Sequence, residues 1–88
     1  MYIDDYGNEF ETREKARKFY EKKFDTKMNS IDEFIETLSN FADLGDVIEF
    51  LYNRDKTVLE KLKTYYANEL AEERKRYAEE WVYFLDEV

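Results

Sequence analysis

Residues 30–42 have the sequence SIDEFIETLSNFA, and this stretch decides the fold class. Ser30 followed by Glu33 forms a capping box, in which the two side chains bond backbone N–H groups at the start of a helix. The apolar residues that follow recur three and four positions apart, which is typical of one helix face: Ile31, Phe34, Ile35, Leu38, Phe41 and Ala42. The segment therefore predicts an amphipathic helix that packs against a small core.

Helical patterning extends along the chain in both directions. Thr12 predicts the N-cap of a helix that ends near Phe24, and Asp46 predicts the N-cap of a short helix after Gly45. Residues 56–86 contain neither glycine nor proline, so we expect one long helix there, spanning roughly 45 Å at ~1.5 Å per residue. The β propensity of residues 81–85, WVYFL, leaves a strand as the alternative at that end.

The first eleven residues predict a β-hairpin that turns at residues 5–8, DYGN, where Gly7 can adopt positive φ. The apolar cluster near the C-terminus, centred on Trp81, either packs against this hairpin or remains an exposed patch. We expect the first, because a hairpin alone is only marginally stable. The predicted fold is one domain over residues 1–88. It is mainly α with a small β part, an N-terminal hairpin followed by three or four helices, the last one long.

The residue inventory excludes most kinds of catalysis. The chain has no cysteine and no histidine, so it lacks thiolate nucleophiles, disulfides and the commonest general base and metal ligand. Asp43 and Asp46 form a carboxylate pair at a helix junction, but no third type of ligand accompanies them. We interpret them as a solvated helix-end acid and an N-cap. The sequence predicts a protein that is not an enzyme and that uses no metal or cofactor.

Charge and hydropathy indicate the kind of partner. The 22 acids outnumber the 14 bases, for a net charge of −8, so nucleic acid and anionic membranes would repel the chain. No apolar run approaches the roughly 18 residues that cross a bilayer, and the acidic N-terminus lacks the layout of a signal peptide. We therefore expect a cytoplasmic protein that binds a basic protein surface.

The negative charge is concentrated in residues 31–55, which hold seven acids and a single base, Arg54. Neighbouring acids along such a helix lie ~5–6 Å apart, comparable to the phosphates of a nucleic-acid strand. One interpretation is a solvated face that serves solubility. The other is a set of carboxylates offered to a nucleic-acid-binding groove of a partner, and its candidate contact residues are Asp32, Glu33, Glu36, Asp43, Asp46 and Glu49.

Two segments resemble a known class of proteins. Residues 2–12, YIDDYGNEFET, and residues 41–51, FADLGDVIEFL, are similar to segments of small acidic proteins of Gram-positive phages and mobile elements. The whole chain resembles phage inhibitors of host defence, of which anti-CRISPR proteins are the best-known class. That resemblance implies a non-enzymatic inhibitor of an RNA-guided nuclease in an infected bacterium. The alternative is a helical scaffold whose long C-terminal helix forms a homodimer.

Overall fold

The computed structural model describes residues 1–38 and 44–88, and over these residues the protein is mainly α-helical with a small sheet, as predicted. The helices are α1 (Arg13–Lys27), α2 (Ile31–Leu38), α3 (Gly45–Arg54), α4 (Val58–Tyr65) and α5 (Ala67–Tyr83). The strands are β1 (Tyr2–Ile3), β2 (Glu9–Phe10) and β3 (Asp86–Glu87). The helix that starts after Ser30 is predicted to reach Phe41 and Ala42. These two residues lie outside the described part of the chain.

The predicted hairpin is present, and a third strand extends it. β1 pairs with β2 and β3, both antiparallel, so the strand order is β2-β1-β3. Gly7 adopts a φ of +85°, a conformation that glycine adopts without steric cost, and it allows the tight turn between β1 and β2. At the other end of the chain α5 continues to Tyr83, and β3 begins only at Asp86. Residues 81–83 are therefore helical, and the strand lies beyond them.

The carboxylate of Asp4 fixes the hairpin turn to α1. It accepts hydrogen bonds from the backbone N–H groups of Tyr6 (2.9 Å) and Asn8 (2.8 Å) and from the Asn8 side-chain amide (2.9 Å). The fully buried Tyr20 hydroxyl donates to the same carboxylate over 2.5 Å. Burial opposes ionisation of Asp4, but these hydrogen bonds outweigh it and lower its pKa below the ordinary value of 3.8.

This carboxylate makes stability depend on acid pH. Because the folded state lowers the Asp4 pKa, its contribution is complete above about pH 4 and is lost as the pH falls through the folded-state pKa. We expect Asp4→Asn to lower the free energy of unfolding at pH 7 by about 2 kcal/mol, since a buried donor loses its charged acceptor. Urea unfolding followed by circular dichroism between pH 2 and 7 measures both effects. The variant should show a shallower acid dependence than the wild type, and parallel curves would contradict this role.

Helices α1 and α5 pack along each other and enclose the first of two hydrophobic clusters. Its buried members are Ala16 and Tyr20 of α1 with Ala78 and Val82 of α5. Trp81 stacks on Tyr20, with ring centroids 5.4 Å apart, and lies 5.6 Å from the Tyr6 ring in the hairpin turn. The C-terminal aromatic cluster therefore packs against the hairpin as predicted, although Phe84 and Val88 remain exposed.

The second cluster joins the end of α1 to α2 and α4. Its buried residues are Phe24, Met28, Phe34, Leu38 and Leu59. Two signals from the sequence are confirmed here: Thr12 caps α1 by accepting from the Lys15 N–H over 3.1 Å, and α2 begins directly after Ser30. Two helices whose starts the sequence marks, α1 and α2, thus supply Phe24, Phe34 and Leu38 to this cluster.

The predicted single C-terminal helix is divided at Tyr66, where φ is −98° and ψ is 25°. Helical hydrogen bonds still pass on either side of this residue, from the Tyr66 N–H to Leu62 and from the Leu70 N–H to Tyr66, both over 2.9 Å. Leu62, Tyr66 and Leu70 all pack on the second cluster. Because neither glycine nor proline occurs there, we attribute the break to packing rather than to local propensity.

Candidate functional site

The acidic candidate residues lie on α2 and α3, which pack against each other. Gly45 begins α3, and a β-carbon at this position would lie only 2.9 Å from Cγ2 of Ile35 in α2. Glycine therefore permits the close approach of the two helices. Asp46 follows in the first helical turn, so the prediction that it caps the helix was wrong; Leu44 occupies the N-cap position and makes no side-chain capping bond.

The structure places the six predicted contact residues as follows. Asp32 is exposed in the first turn of α2, and Glu36 is exposed one turn later. Glu33 is half-buried and lies 3.5 Å from the Lys27 ammonium group at the end of α1. Asp46 and Glu49 are exposed on α3. The prediction for Asp43 lies outside the described residues.

Three acids of α2 and α3 differ in their charge pairing from several acids of α1 and α5. Elsewhere, acids pair with bases within and between α1 and α5: Arg17 contacts Glu14 and Glu79 over 2.6 Å, and Arg74 contacts Asp25 over 3.4 Å. In the described part of the chain, no ion pair holds Asp32, Asp46 or Glu49. The only base of the segment, Arg54, lies over the Phe50 ring with its guanidinium 5.3 Å from the centroid. The carboxylates of Asp32, Asp46 and Glu49 are therefore exposed and available to a partner.

An exposed apolar stripe on α3 was not predicted from the sequence. Its members and their exposed fractions are Leu44 (47%), Val47 (53%), Phe50 (58%) and Leu51 (43%). Only Ile48 of this helix is buried. A signal was present, since apolar residues at positions 44, 47, 48, 50 and 51 outnumber those that one face of a short helix can bury.

One cleft on the surface lies where two helices meet, and several of its charged side chains are already paired. It has a volume of about 540 Å³ and lies between the end of α1 and the start of α5. Two cationic side chains that line this cleft already have partners. Lys63 donates to the Asn29 side chain over 2.5 Å, and Arg74 pairs with Asp25. Within residues 1–38 and 44–88, no three acidic side chains converge as they would to hold a metal ion.

Comparisons of the chain with protein-family models, curated protein sequences and solved structures gave no significant match. Among the described residues, none of the helices combines the length and the apolar character needed to cross a bilayer. The acidic surface of α2 and α3 is therefore the feature from which we infer a function.

Proposed function

We propose that the protein is a non-catalytic inhibitor that occupies a basic, nucleic-acid-binding groove of another protein. The observation that carries this proposal is the exposed acidic charge of Asp32, Asp46 and Glu49 on α2 and α3, within a segment, residues 31–55, in which seven acids accompany one base. The resemblance to phage inhibitors of host defence supplies the target class, an RNA-guided nuclease. Such a nuclease has a positively charged channel that holds nucleic acid through its backbone.

The physical basis is competition for the same cations. Carboxylates one helical turn apart, such as Asp46 and Glu49, lie ~5–6 Å from each other and can face lysines and arginines that otherwise hold successive phosphates. A partner that binds nucleic acid through the charge of the phosphate backbone makes few contacts with the bases. A negatively charged protein surface can therefore substitute for the nucleic acid. Inhibition then requires occupancy alone and no covalent change in the target.

The alternative function is a scaffold that forms homodimers through its last helix. It would use the exposed apolar surface at the end of α5 and in the residues that follow it. Tyr83, Phe84 and Val88 are exposed there, and the Tyr83 and Phe84 rings contact each other edge to face at 5.2 Å. The rest of the apolar face of α5 packs on α1, through Ala78 and Val82. Light scattering at increasing concentration distinguishes the two functions, because the scaffold requires a dimer.

Occupancy without catalysis predicts stoichiometric inhibition. When the protein is titrated into an RNA-guided nuclease with its guide RNA, cleavage of target DNA should fall linearly and reach zero at a fixed molar ratio. Prior addition of target DNA should protect the nuclease, because both ligands compete for one channel. The measurement is the cleaved fraction against molar ratio, repeated over a panel of such nucleases from Gram-positive bacteria.

Two outcomes would contradict the proposal. Complete inactivation by a small fraction of an equivalent would reveal an enzymatic reaction. The other outcome is full cleavage by every nuclease of the panel at about 100-fold molar excess of the protein. It would exclude this target class for any affinity that gives measurable binding at that protein concentration.

A further inference from the structure

A pocket between the hairpin turn and the end of α5 is separate from the acidic surface of α2 and α3. Tyr77, Glu80, Trp81 and Phe84 line it, and their spacing of three and four positions places them on one face of the end of the helix. Asp5, in the turn between β1 and β2, completes the lining. The pocket has a volume of about 300 Å³, at the lower end of the range for small-molecule sites.

Packing holds two aromatic walls of this pocket in place. Trp81 is half-buried, and its ring stacks on the fully buried Tyr20 with the centroids 5.4 Å apart. Tyr77 lies 6.2 Å from the Trp81 ring and 5.7 Å from the ring of Phe24 in the second cluster. Both rings are therefore fixed in the folded protein, and a preorganised site loses less conformational entropy when a ligand binds.

Two carboxylates give this aromatic pocket a negative charge. Asp5 and Glu80 are both exposed, and in the part of the chain that the structure describes no ion pair holds either of them. Of the described residues that line the pocket, none is a lysine or an arginine. The pocket therefore combines apolar walls with two carboxylates that have no cationic partner.

Two lysines of α1 lie beside the same rings. The Lys23 ammonium group is 5.6 Å from the centroid of Trp81, and the Lys27 ammonium group is 5.1 Å from the centroid of Tyr77. Their positions show that these rings attract cations. Neither lysine lines the pocket, so the space beside the two carboxylates stays open to a ligand.

We propose that this pocket binds a small organic cation in which a guanidinium group is joined to a short apolar chain. The chain packs on Trp81 and Phe84, and the guanidinium donates hydrogen bonds to the carboxylates of Asp5 and Glu80. The planar fork of a guanidinium matches carboxylate oxygens and is more weakly hydrated than an ammonium group. The inference does not rest on the proposed function, because no described residue of α2 or α3 lines the pocket.

The other classes of small ligand fit these residues less well. An anion would be repelled by the two carboxylates, and a neutral apolar molecule would remove water from them without replacing their hydrogen bonds. A metal ion needs a larger set of oxygen ligands, and within residues 1–38 and 44–88 no three acidic side chains converge. A cation with an apolar part satisfies both the carboxylates and the aromatic walls.

Trp81 is the only tryptophan of the chain, so its indole N–H gives a single signal that reports on the pocket in proton–nitrogen correlation spectra of the whole protein. Three probes of similar size are titrated at about 150 mM salt, which screens non-specific attraction to the acidic protein. The probes are n-propylguanidinium, the neutral n-propylurea and n-butylammonium. We expect n-propylguanidinium to bind about tenfold more tightly than the urea and about threefold more tightly than the ammonium.

The matched variants are Glu80→Gln in the pocket and Glu72→Gln, which alters an exposed glutamate on the same helix outside the pocket. Circular dichroism checks that both remain folded. Glu80→Gln should lose about fivefold in affinity for n-propylguanidinium, and Glu72→Gln should bind like the wild type. Phe84→Ala, at a position that is 62% exposed, should lose about threefold because the apolar chain loses a contact.

Two results would overturn the inference. One is a Trp81 signal that does not move with n-propylguanidinium, or that moves equally with all three probes. The other is equal binding of n-propylguanidinium by Glu80→Gln and Glu72→Gln, since the carboxylate would then not hold the ligand. Neither result bears on the proposed function, which is tested by nuclease inhibition and by variants on α3.

Discussion

Tyr20→Ala is expected to lower the free energy of unfolding by about 4–5 kcal/mol, the largest effect of any single substitution considered for this protein. Tyr20 is fully buried, and its ring contacts Phe10, Phe19 and Trp81 at centroid distances of 5.2–5.7 Å. Its hydroxyl also pairs with the Asp4 carboxylate. The substitution leaves a cavity and removes a hydrogen bond to a buried charge. Since a domain of this size is stable by roughly 5–10 kcal/mol, the loss is about half of the total or more, and the variant should unfold at a much lower denaturant concentration than the wild type.

Two control variants separate the contributions. Tyr20→Phe retains the ring and removes only the hydrogen bond to a charged group, so we expect a loss of about 1.5–3 kcal/mol. Tyr65→Ala alters a tyrosine that is 78% exposed and should cost at most about 0.5 kcal/mol. Chemical denaturation of the three variants and the wild type measures the series. If Tyr20→Ala unfolded at the same denaturant concentration as Tyr65→Ala, the central position assigned to Tyr20 would be wrong.

Local signals in the sequence were sufficient to predict most of the helices. Thr12 caps α1, α2 starts directly after Ser30, and Gly7 turns the hairpin, because each of these features depends on residues only a few positions apart. The contact of Trp81 with the hairpin was also predictable. A small hairpin is stable only when it packs against an apolar partner, and the apolar side chains of the C-terminal cluster are stabilised when they are buried. Each can therefore serve as the other's packing partner.

Features that depend on distant contacts could not be predicted in the same way. The break at Tyr66 carries no glycine or proline, and it reflects how α4 and α5 both pack on the second cluster. Strand β3 has only two residues, Asp86 and Glu87, whose types do not favour strands; pairing with β1 defines it. Asp46 was mistaken for an N-cap because an acid after glycine usually marks a helix start, whereas here Gly45 is itself helical.

The acidic charge of the candidate site could be predicted from the sequence. The exposure of its apolar residues could not. The concentration of acids between residues 31 and 55 is visible in the sequence, and the structure places Asp32, Asp46 and Glu49 in solvent. The exposure of Val47 and Phe50 depends on which side of α3 meets the rest of the protein. Periodicity identifies an apolar face, but only the packing of α3 shows that most of it stays uncovered.

The second large effect is expected for partner binding after reversal of two acids on α3. Asp46→Lys/Glu49→Lys converts two attractive contacts with a basic groove into repulsive ones. We expect about a 100-fold loss of inhibitory affinity, equivalent to ~2.7 kcal/mol, together with a weaker dependence of binding on salt. Both side chains are exposed, so the core should remain intact, although a lysine in the first turn opposes the helix dipole by up to about 1 kcal/mol. The inhibition constant for the nuclease at several salt concentrations measures the change.

The matched control for this reversal is Glu72→Lys/Glu80→Lys, which makes the same change in net charge at two exposed positions on α5. If the position of the charge on α3 matters, this control should retain inhibition to within about threefold. Equal loss in both variants would mean that only the overall charge attracts the partner, and α2 and α3 would then have no special role. Unchanged inhibition by the α3 variant, with its fold verified by circular dichroism, would contradict the acidic binding surface itself, because four units of charge would have been altered at the proposed contact without consequence.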